Sequence, residues 1–398
     1  MFDELTLSRE QTVKLIFSLW VSTYTDSTKL KPTVQLLGPP GTGKSAIQDE
    51  VASLMEAHVQ SLNPMAPGAV TELVDSTSKA PEDIGGLPDI REGHTHYAGQ
   101  SWLARCCAPG AYGVLMFDDL PAASQMVAKT VRQLAHPSQR SVNDMRLSDG
   151  MLVLVTGNRK EDKAGASAMP SHHANAVVTI TLRPTLDEWL KWYGQEGNMA
   201  SMIPSFLVKN RGKFQQHPRD ACPKTGAFAT PRSWAMVGAG WDAVSELGDA
   251  DILLAFTAGC VGIGIGSELV AWSNLRRGLV DPALVVADPK KHLPPALRKE
   301  LMSKPDTAHA LFHGLGEYGA ELDRTAKHKG KAAKQFAQAL FWASDGGGRE
   351  YLYSAFQVFV ANGGNTRRLI AEIQKAQKAG ESWTEGMREF FKALAARR

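Results

Sequence analysis

One stretch constrains this chain more than any other. The apolar run Pro32-Thr-Val-Gln-Leu-Leu37 passes without a break into Gly38-Pro-Pro-Gly-Thr-Gly-Lys44-Ser45, and a helical pattern follows from about Ser45 to His58. Strand, glycine-rich loop and helix in that order form a phosphate cradle. The glycines let the loop turn so that backbone N–H groups point inward at an anion. The start of the following helix adds its partial positive charge. Gly38-x-x-x-x-Gly43-Lys44-Ser45 is a complete Walker A motif, and it nominates Gly38, Pro39, Pro40, Gly41, Thr42, Gly43, Lys44, Ser45 and Ala46 as the phosphate-binding residues. Lys44 has the reach for the β and γ phosphates, and the Ser45 hydroxyl is a ligand for Mg²⁺.

The cradle needs a sheet, and the chain supplies further strands. Val70–Asp75, Tyr112–Asp118, Met151–Thr156 and Ala176–Leu182 are short apolar runs separated by helical or loop segments. That alternation predicts an α/β fold whose five-stranded parallel sheet is covered on both faces. The run Val114-Leu-Met-Phe-Asp118-Asp119 ends in two carboxylates, a Walker B pattern. Asp118 is placed to hold Mg²⁺ and Asp119 to orient the attacking water. The alternative is a pair of aspartates capping a helix over Leu120–Leu134. Val155-Thr-Gly157-Asn158 closes another strand with an Asn, a residue type that also forms ordinary turns.

With Walker A, Walker B and this Asn in order, the chain resembles the AAA+ superfamily. Ala80-Pro-Glu-Asp-Ile-Gly-Gly-Leu-Pro88, Gly157-Asn158-Arg-Lys-Glu-Asp-Lys-Ala-Gly165 and Ala229-Thr-Pro-Arg232-Ser-Trp234 are similar to segments of MoxR-like AAA+ ATPases of phages and prophages. The resemblance covers about residues 30–245. It implies ATP and Mg²⁺ as ligands, a hexameric ring, and a protein client, often a von Willebrand A-domain protein. It implies that Asn158 helps hold the water and that Arg232 reaches the nucleotide from a helical lid; otherwise Arg232 is simply a helix-start residue after Pro231. The Glu82–Leu87 segment would face the ring pore or a partner, or would be a plain glycine turn. The implied organisation is an AAA+ core over residues 1–183 and a helical lid over 184–275; residues 276–398, read on their own, are a mostly helical, basic extension.

Two departures stand out. Relatives usually carry Glu where this chain has Asp119, one methylene shorter. They also carry Asn-Arg at the start of the fifth strand, where the Arg acts in trans on the neighbouring subunit's nucleotide. This chain reads Asn175-Ala176, with Arg140, Arg146 and Arg159 as possible substitutes. A missing arginine finger implies slow basal hydrolysis. The departures keep a nucleotide-gated assembly protein open; a nucleic-acid-acting AAA+ accessory protein is a further alternative, tied to the basic charge of the C-terminal third.

Composition sets the remaining bounds. The 398 residues exceed one ordinary core, and 43% hydrophobic with 21% charged residues excludes wholesale disorder. Four cysteines, Cys106, Cys107, Cys222 and Cys260, form neither a disulfide framework nor a zinc spacing. The N-terminal residues lack a signal-peptide pattern, and the longest uncharged stretch, Ile252–Ser267, is shorter than the ~20 residues that span a bilayer. It reads as a buried helix pair, which points to a cytoplasmic protein without a membrane partner. His94-x-His96 and His172-His173 lack companion ligands and read as solvated loop histidines. Trp189, Trp192, Trp234 and Trp241 read as lid core rather than a stacking platform.

The net charge of +3 conceals an imbalance. Residues 276–398 carry 21 basic and 13 acidic side chains, so this third stands near +8 and residues 1–275 near −5. The positive charge gathers in Arg324–Lys334 and in Arg367, Arg368, Lys375, Lys378, Arg388, Lys392, Arg397 and Arg398. It is either a solvated face or a surface for nucleic acid or an acidic partner. Without a sequence-reading motif, any nucleic-acid contact would be to phosphates.

Overall fold

The structure is a computed structural model that describes residues 6–24, 26, 28–159, 176–194, 200–218, 221, 226–277, 279–345 and 349–384. It falls into two compact units, Met1–Thr185 with His217–Arg219, and Leu186–Gln216 with Asp220–Arg398.

The first unit carries strands β1 (Thr6–Leu7), β2 (Thr33–Leu37), β3 (Val70–Asp75), β4 (Leu87–Arg91), β5 (His94–Ala98), β6 (Tyr112–Asp118), β7 (Ser141–Val142), β8 (Met145–Arg146), β9 (Gly150–Gly157) and β10 (Val177–Leu182). Its helices are α1 (Arg9–Tyr24), α2 (Ile47–Leu62), α3 (Glu82–Gly85), α4 (Ser101–Cys107) and α5 (Gln125–Ala135). The central sheet has the order β1-β10-β2-β9-β6-β3, and every pair in it is parallel. This is the expected α/β core with a parallel sheet, with six strands instead of five. The extra strand, β1, is two residues long and pairs with Thr181 and Leu182. A strand that short has no alternation to read; only its partner defines it.

The period-2 geometry of a strand explains why helices cover both faces. On β6, Val114 and Met116 enter one core with Leu152 and Leu154 of β9, beneath Val13, Ile16 and Trp20 of α1 and Val51 and Met55 of α2. The intervening Leu115 and Phe117 enter the opposite core with Val153 and Val155, against Leu103 of α4 and Val127, Val131 and Leu134 of α5. Both faces are therefore dry, and the strands read as continuous apolar runs rather than alternating ones.

Three local expectations are corrected. The helix read over Leu120–Leu134 is a 3₁₀ turn, Leu120–Ala122, then α5, which Ser124 caps by accepting from the Val127 N–H at 3.3 Å. The segment after Ala80 is not only loop, since β4 and β5 pair as an antiparallel hairpin with mostly exposed residues. Helix α2 begins at Ile47 and runs to Leu62, later at both ends than the sequence pattern indicated.

Among the described residues of the second unit, the regular elements are all helices. Pro282, Pro289 and Pro295 open helices Pro282–Ala287, Pro289–His292 and Pro295–Met302. A missing N–H costs nothing at that position. The uncharged stretch is a helix pair, Ala250–Val261 and Ile263–Arg277, broken at Gly262 with φ +86°. Trp189, Trp234 and Trp241 are buried in one cluster, with Trp192 packed against it. That cluster also includes Ala310, Val358 and Ala361, so residues on both sides of position 276 share a core. No described helix is long and apolar enough to cross a membrane.

Candidate active site

Register brings the C-terminal ends of three strands together. Leu37 of β2 pairs with Gly157 of β9, and Phe117 of β6 pairs with Val155. The loop after Gly38, the Asp118–Asp119 pair and Asn158 therefore emerge side by side, at the edge where open parallel sheets bind ligands. β9 lies between β2 and β6, so the strand end carrying Thr156 and Asn158 is interposed between the phosphate loop and the carboxylates.

The loop has the backbone that its glycines permit. Gly41 and Gly43 take φ +74° and +84°, in the left-handed region that disfavours side chains. Thr42 donates its hydroxyl to the Pro39 carbonyl at 2.9 Å. Lys44 is 7% exposed, and its ammonium donates to the carbonyls of Gly38 at 2.8 Å and Pro39 at 3.0 Å. Pro40 and Ala46 complete the turn, Ala46 as the residue before the first turn of α2.

Two chains of hydrogen bonds leave this loop. In the first, Lys44 Nζ donates to Asn158 Oδ1 at 3.0 Å, and Asn158 Nδ2 donates to Asp119 Oδ1 at 3.2 Å. The amide orientation follows from its neighbours, because the oxygen must face the cation and the NH₂ the carboxylate. Asn158 thus joins the loop lysine to the second aspartate. In the second chain, Ser45 Oγ donates to Asp118 Oδ2 at 3.2 Å, and the Thr156 hydroxyl donates to Asp118 Oδ1. Thr156 Oγ1 also accepts from the Asp119 backbone N–H at 3.1 Å. Asp119 has φ +49°, a conformation that Asp tolerates better than most residues.

The donor set suits the ligands implied by the motifs. Ser45 and Asp118 are hard oxygen donors already in contact, the type Mg²⁺ takes while retaining several waters. The positive-φ glycines and the buried ammonium suit a phosphate chain. Asp119 accepts from Asn158 through Oδ1, which helps fix its orientation.

Two residues were not singled out from sequence. Thr156 is fully buried and holds both aspartates; its signal is a lone hydroxyl at the end of an otherwise apolar strand. Gly157 lies against Pro121, whose Cγ would be 2.4 Å from an added Cβ. Only a glycine lets β9 pass that ring.

The other candidates are dispersed. Arg232 belongs to the second unit, exposed in the first turn of helix Pro231–Glu246 behind a Thr230–Ser233 capping box. Ala176 directly precedes β10, while Asn175, His172, His173 and the Lys160–Gly165 part of the motif lie outside the described residues. Arg140 is 2% exposed, with its guanidinium turned inward onto the carbonyls of Ser148 and Met151. Burial lowers its pKa to about 10, and this placement removes it from the arginines that could act on a neighbouring subunit. Arg146 is exposed on β8. His94 and His96 stand on the exposed β5, and no group of three or more metal-ligating side chains occurs among the described residues.

Neither a protein-family model nor a curated protein matches the chain. Solved structures with similarity to it include PCH-2 of C. elegans, at 12% identity over 70% of this chain and 62% of that one, with a TM-score of 0.31. NtrX from Brucella abortus in complex with ADP matches at 12% identity over 99% and 70%, with a TM-score of 0.30. The ORC2 protein of Aeropyrum pernix, in ADPNP–ADP complexes, matches at 9% identity over 95% and 96%, with a TM-score of 0.33.

Proposed function

We propose that the chain is a ring-forming, MoxR-like AAA+ ATPase of the phage and prophage type, which works in the cytoplasm and uses ATP hydrolysis to remodel or assemble a protein partner. One observation carries this reading. Lys44, Asn158 and Asp119 form one hydrogen-bonded chain, and Ser45, Asp118 and Thr156 form a second beside it.

In this reading Lys44 grips the phosphates, and Ser45 and Asp118 hold the metal. Bound Mg²⁺ would supply charge neutralisation at the phosphate oxygens. Asp119 orients the attacking water, and Asn158 fixes the Asp119 carboxylate relative to the lysine. Arg232 reports nucleotide state from a lid over residues 184–275, and residues 276–398 form the extension that meets other molecules. The client is a protein, of which a von Willebrand A-domain protein is the type this family favours. With Ala176 where an arginine finger would stand, turnover in the isolated protein is slow, since such a finger contributes about 10³–10⁵ in rate.

The test uses the full-length protein, with nucleotide binding by fluorescence, turnover by phosphate release, and mass with and without ATP and Mg²⁺. Lys44→Ala is expected to lose nucleotide binding. Asp119→Asn is expected to keep binding and lose turnover by about 10²-fold or more. Wild-type protein that binds no nucleotide, or Lys44→Ala protein that binds as well as wild type, refutes the proposal. The short Asp119 and the Ala176 position favour a second reading, in which ATP binding organises an assembly and hydrolysis is incidental. Asp119→Asn protein that retains both assembly and function would establish it over a motor.

A further inference from the structure

The basic C-terminal third resolves into paired and unpaired cations. Arg368 is held by Asp323 at 2.5 Å, Lys334 by Glu381 at 2.5 Å and Lys375 by Glu372 at 2.6 Å. Their charges are locally neutralised. Lys327, Lys329, Lys331, Arg367 and Lys378 are exposed, and none has a carboxylate partner among the described residues. From Arg324 to Ser344 the chain contains five basic side chains and no acidic one.

Helices Lys329–Ser344 and Thr366–Lys378 carry these residues and pack together through Ala333, Phe336, Leu340, Leu369 and Ile373. Gly330, between Lys329 and Lys331, is so close to the second helix that an added Cβ would stand 3.1 Å from Glu372 Oε1. The two cationic segments are thus neighbours, with the Glu372 carboxylate, which also pairs with Lys375, between them. Fold stability does not account for these cations. Lys329 and Lys331 stand in a first helical turn with no acidic residue and no side-chain cap, where the helix dipole disfavours cations.

The surface also lacks what a protein interface needs. Binding energy between proteins concentrates in apolar and aromatic anchors. No large hydrophobic side chain among the described residues of 324–345 or 362–384 is exposed. Stacking on single-stranded bases requires exposed aromatics, and the same absence disfavours it. An apolar-free face with five cations outside ion pairs fits a rigid array of phosphates, which contacts position without reading sequence.

We infer that this surface, built from Lys327, Lys329, Lys331, Arg367 and Lys378, docks on the phosphate backbone of a nucleic-acid duplex. The interaction goes beyond the ATPase reading and does not depend on it. Each phosphate neutralised contributes about −0.9 to the slope of log affinity against log salt, so the five cations together give a slope of up to about −4.5.

The experiment measures fluorescence anisotropy of a labelled 30-base-pair DNA duplex with the full-length protein and no nucleotide, between 50 and 300 mM KCl. Wild type is expected to bind with a slope between about −3 and −4. Lys327→Glu/Lys329→Glu/Lys331→Glu is expected to lose at least about tenfold in affinity at the lowest salt and to flatten the slope by about 2 to 3. Lys79→Glu/Lys129→Glu/Lys299→Glu, with the same net charge change elsewhere, is expected to retain most of the binding. Circular dichroism verifies folding, and the corresponding triple Gln variant replaces the Glu variant if the latter does not fold. Four results would overturn the inference: no duplex binding at 50 mM KCl, an unchanged slope in the first triple variant, an equal loss in the control variant, or tighter binding of polyglutamate or single-stranded DNA than of the duplex. Lys44→Ala protein should bind duplex like wild type, which separates this inference from the nucleotide site.

Discussion

Replacing Thr156 with Val tests how the two aspartates are held. The substitution keeps the branched shape and removes one hydroxyl, which donates to Asp118 and accepts from the Asp119 N–H at 3.1 Å. A hydrogen bond to a charged group contributes about 1.5–3 kcal/mol, and an orphaned buried donor costs about 1–3 kcal/mol. Thr156 is fully buried, but Asp118 and Asp119 are half-buried and regain some water contact. The lower part of that combined range applies, about 2–3 kcal/mol. For a unit of this size, 1 kcal/mol moves the melting temperature by about 2–4 °C. The first unit should therefore melt roughly 4–12 °C lower in Thr156→Val, and Thr156→Ser should restore most of the loss. Freed from Thr156, Asp118 can rotate away from Ser45, so Mg²⁺ affinity measured through Mg²⁺-dependent nucleotide binding should fall by about tenfold, or 1.4 kcal/mol. A Thr156→Val protein that melts within about 1 °C of wild type and binds Mg²⁺ equally well would refute the reasoning.

Gly157→Ala would place a Cβ 2.4 Å from Pro121 Cγ and 2.6 Å from its Cδ, and a proline ring cannot swing aside. The strand end must move, at a cost of about 1–3 kcal/mol seen as a lower denaturant midpoint, and an unchanged midpoint would contradict the packing described. His313 is fully buried between Ser205 and Ser354, and burial holds its pKa well below the ordinary 6.5, with His309 and Arg276 adding to the effect. Below about pH 6.5 the unfolded chain takes up a proton there that the folded chain does not, so stability falls with falling pH, by up to about 1.4 kcal/mol per unit. Denaturant unfolding at pH 7.5 and 5.0, followed by tryptophan fluorescence, should show this loss, and His313→Gln should reduce it; equal pH dependence in the two proteins would remove His313 as its source.

The Walker A loop and the strands around it were legible because their information is local. Glycine spacing sets the loop, and continuous apolar runs set β2, β6 and β9 wherever both faces are covered. The hairpin of β4 and β5 was not legible, since its residues are mostly exposed and polar, and the pairing across Asp89–His96 and Ile90–Thr95 alone defines it. Asn158 had only its position in the order of motifs to recommend it. The interposed β9 is what delivers it between Lys44 and Asp119. Charge behaves in the same way. Composition locates an excess of basic residues after 276, but it cannot separate Arg368, neutralised by a carboxylate 45 positions away, from Arg367 beside it.

By itself, then, the sequence determined a glycine-rich Walker A loop on a parallel α/β sheet, because backbone conformation and strand burial are encoded within a few consecutive residues. Tertiary structure alone decided that Thr156 secures both aspartates, that Arg140 is turned inward, and which cations stand free on the surface, because each depends on neighbours distant in the chain that only folding brings within hydrogen-bond reach.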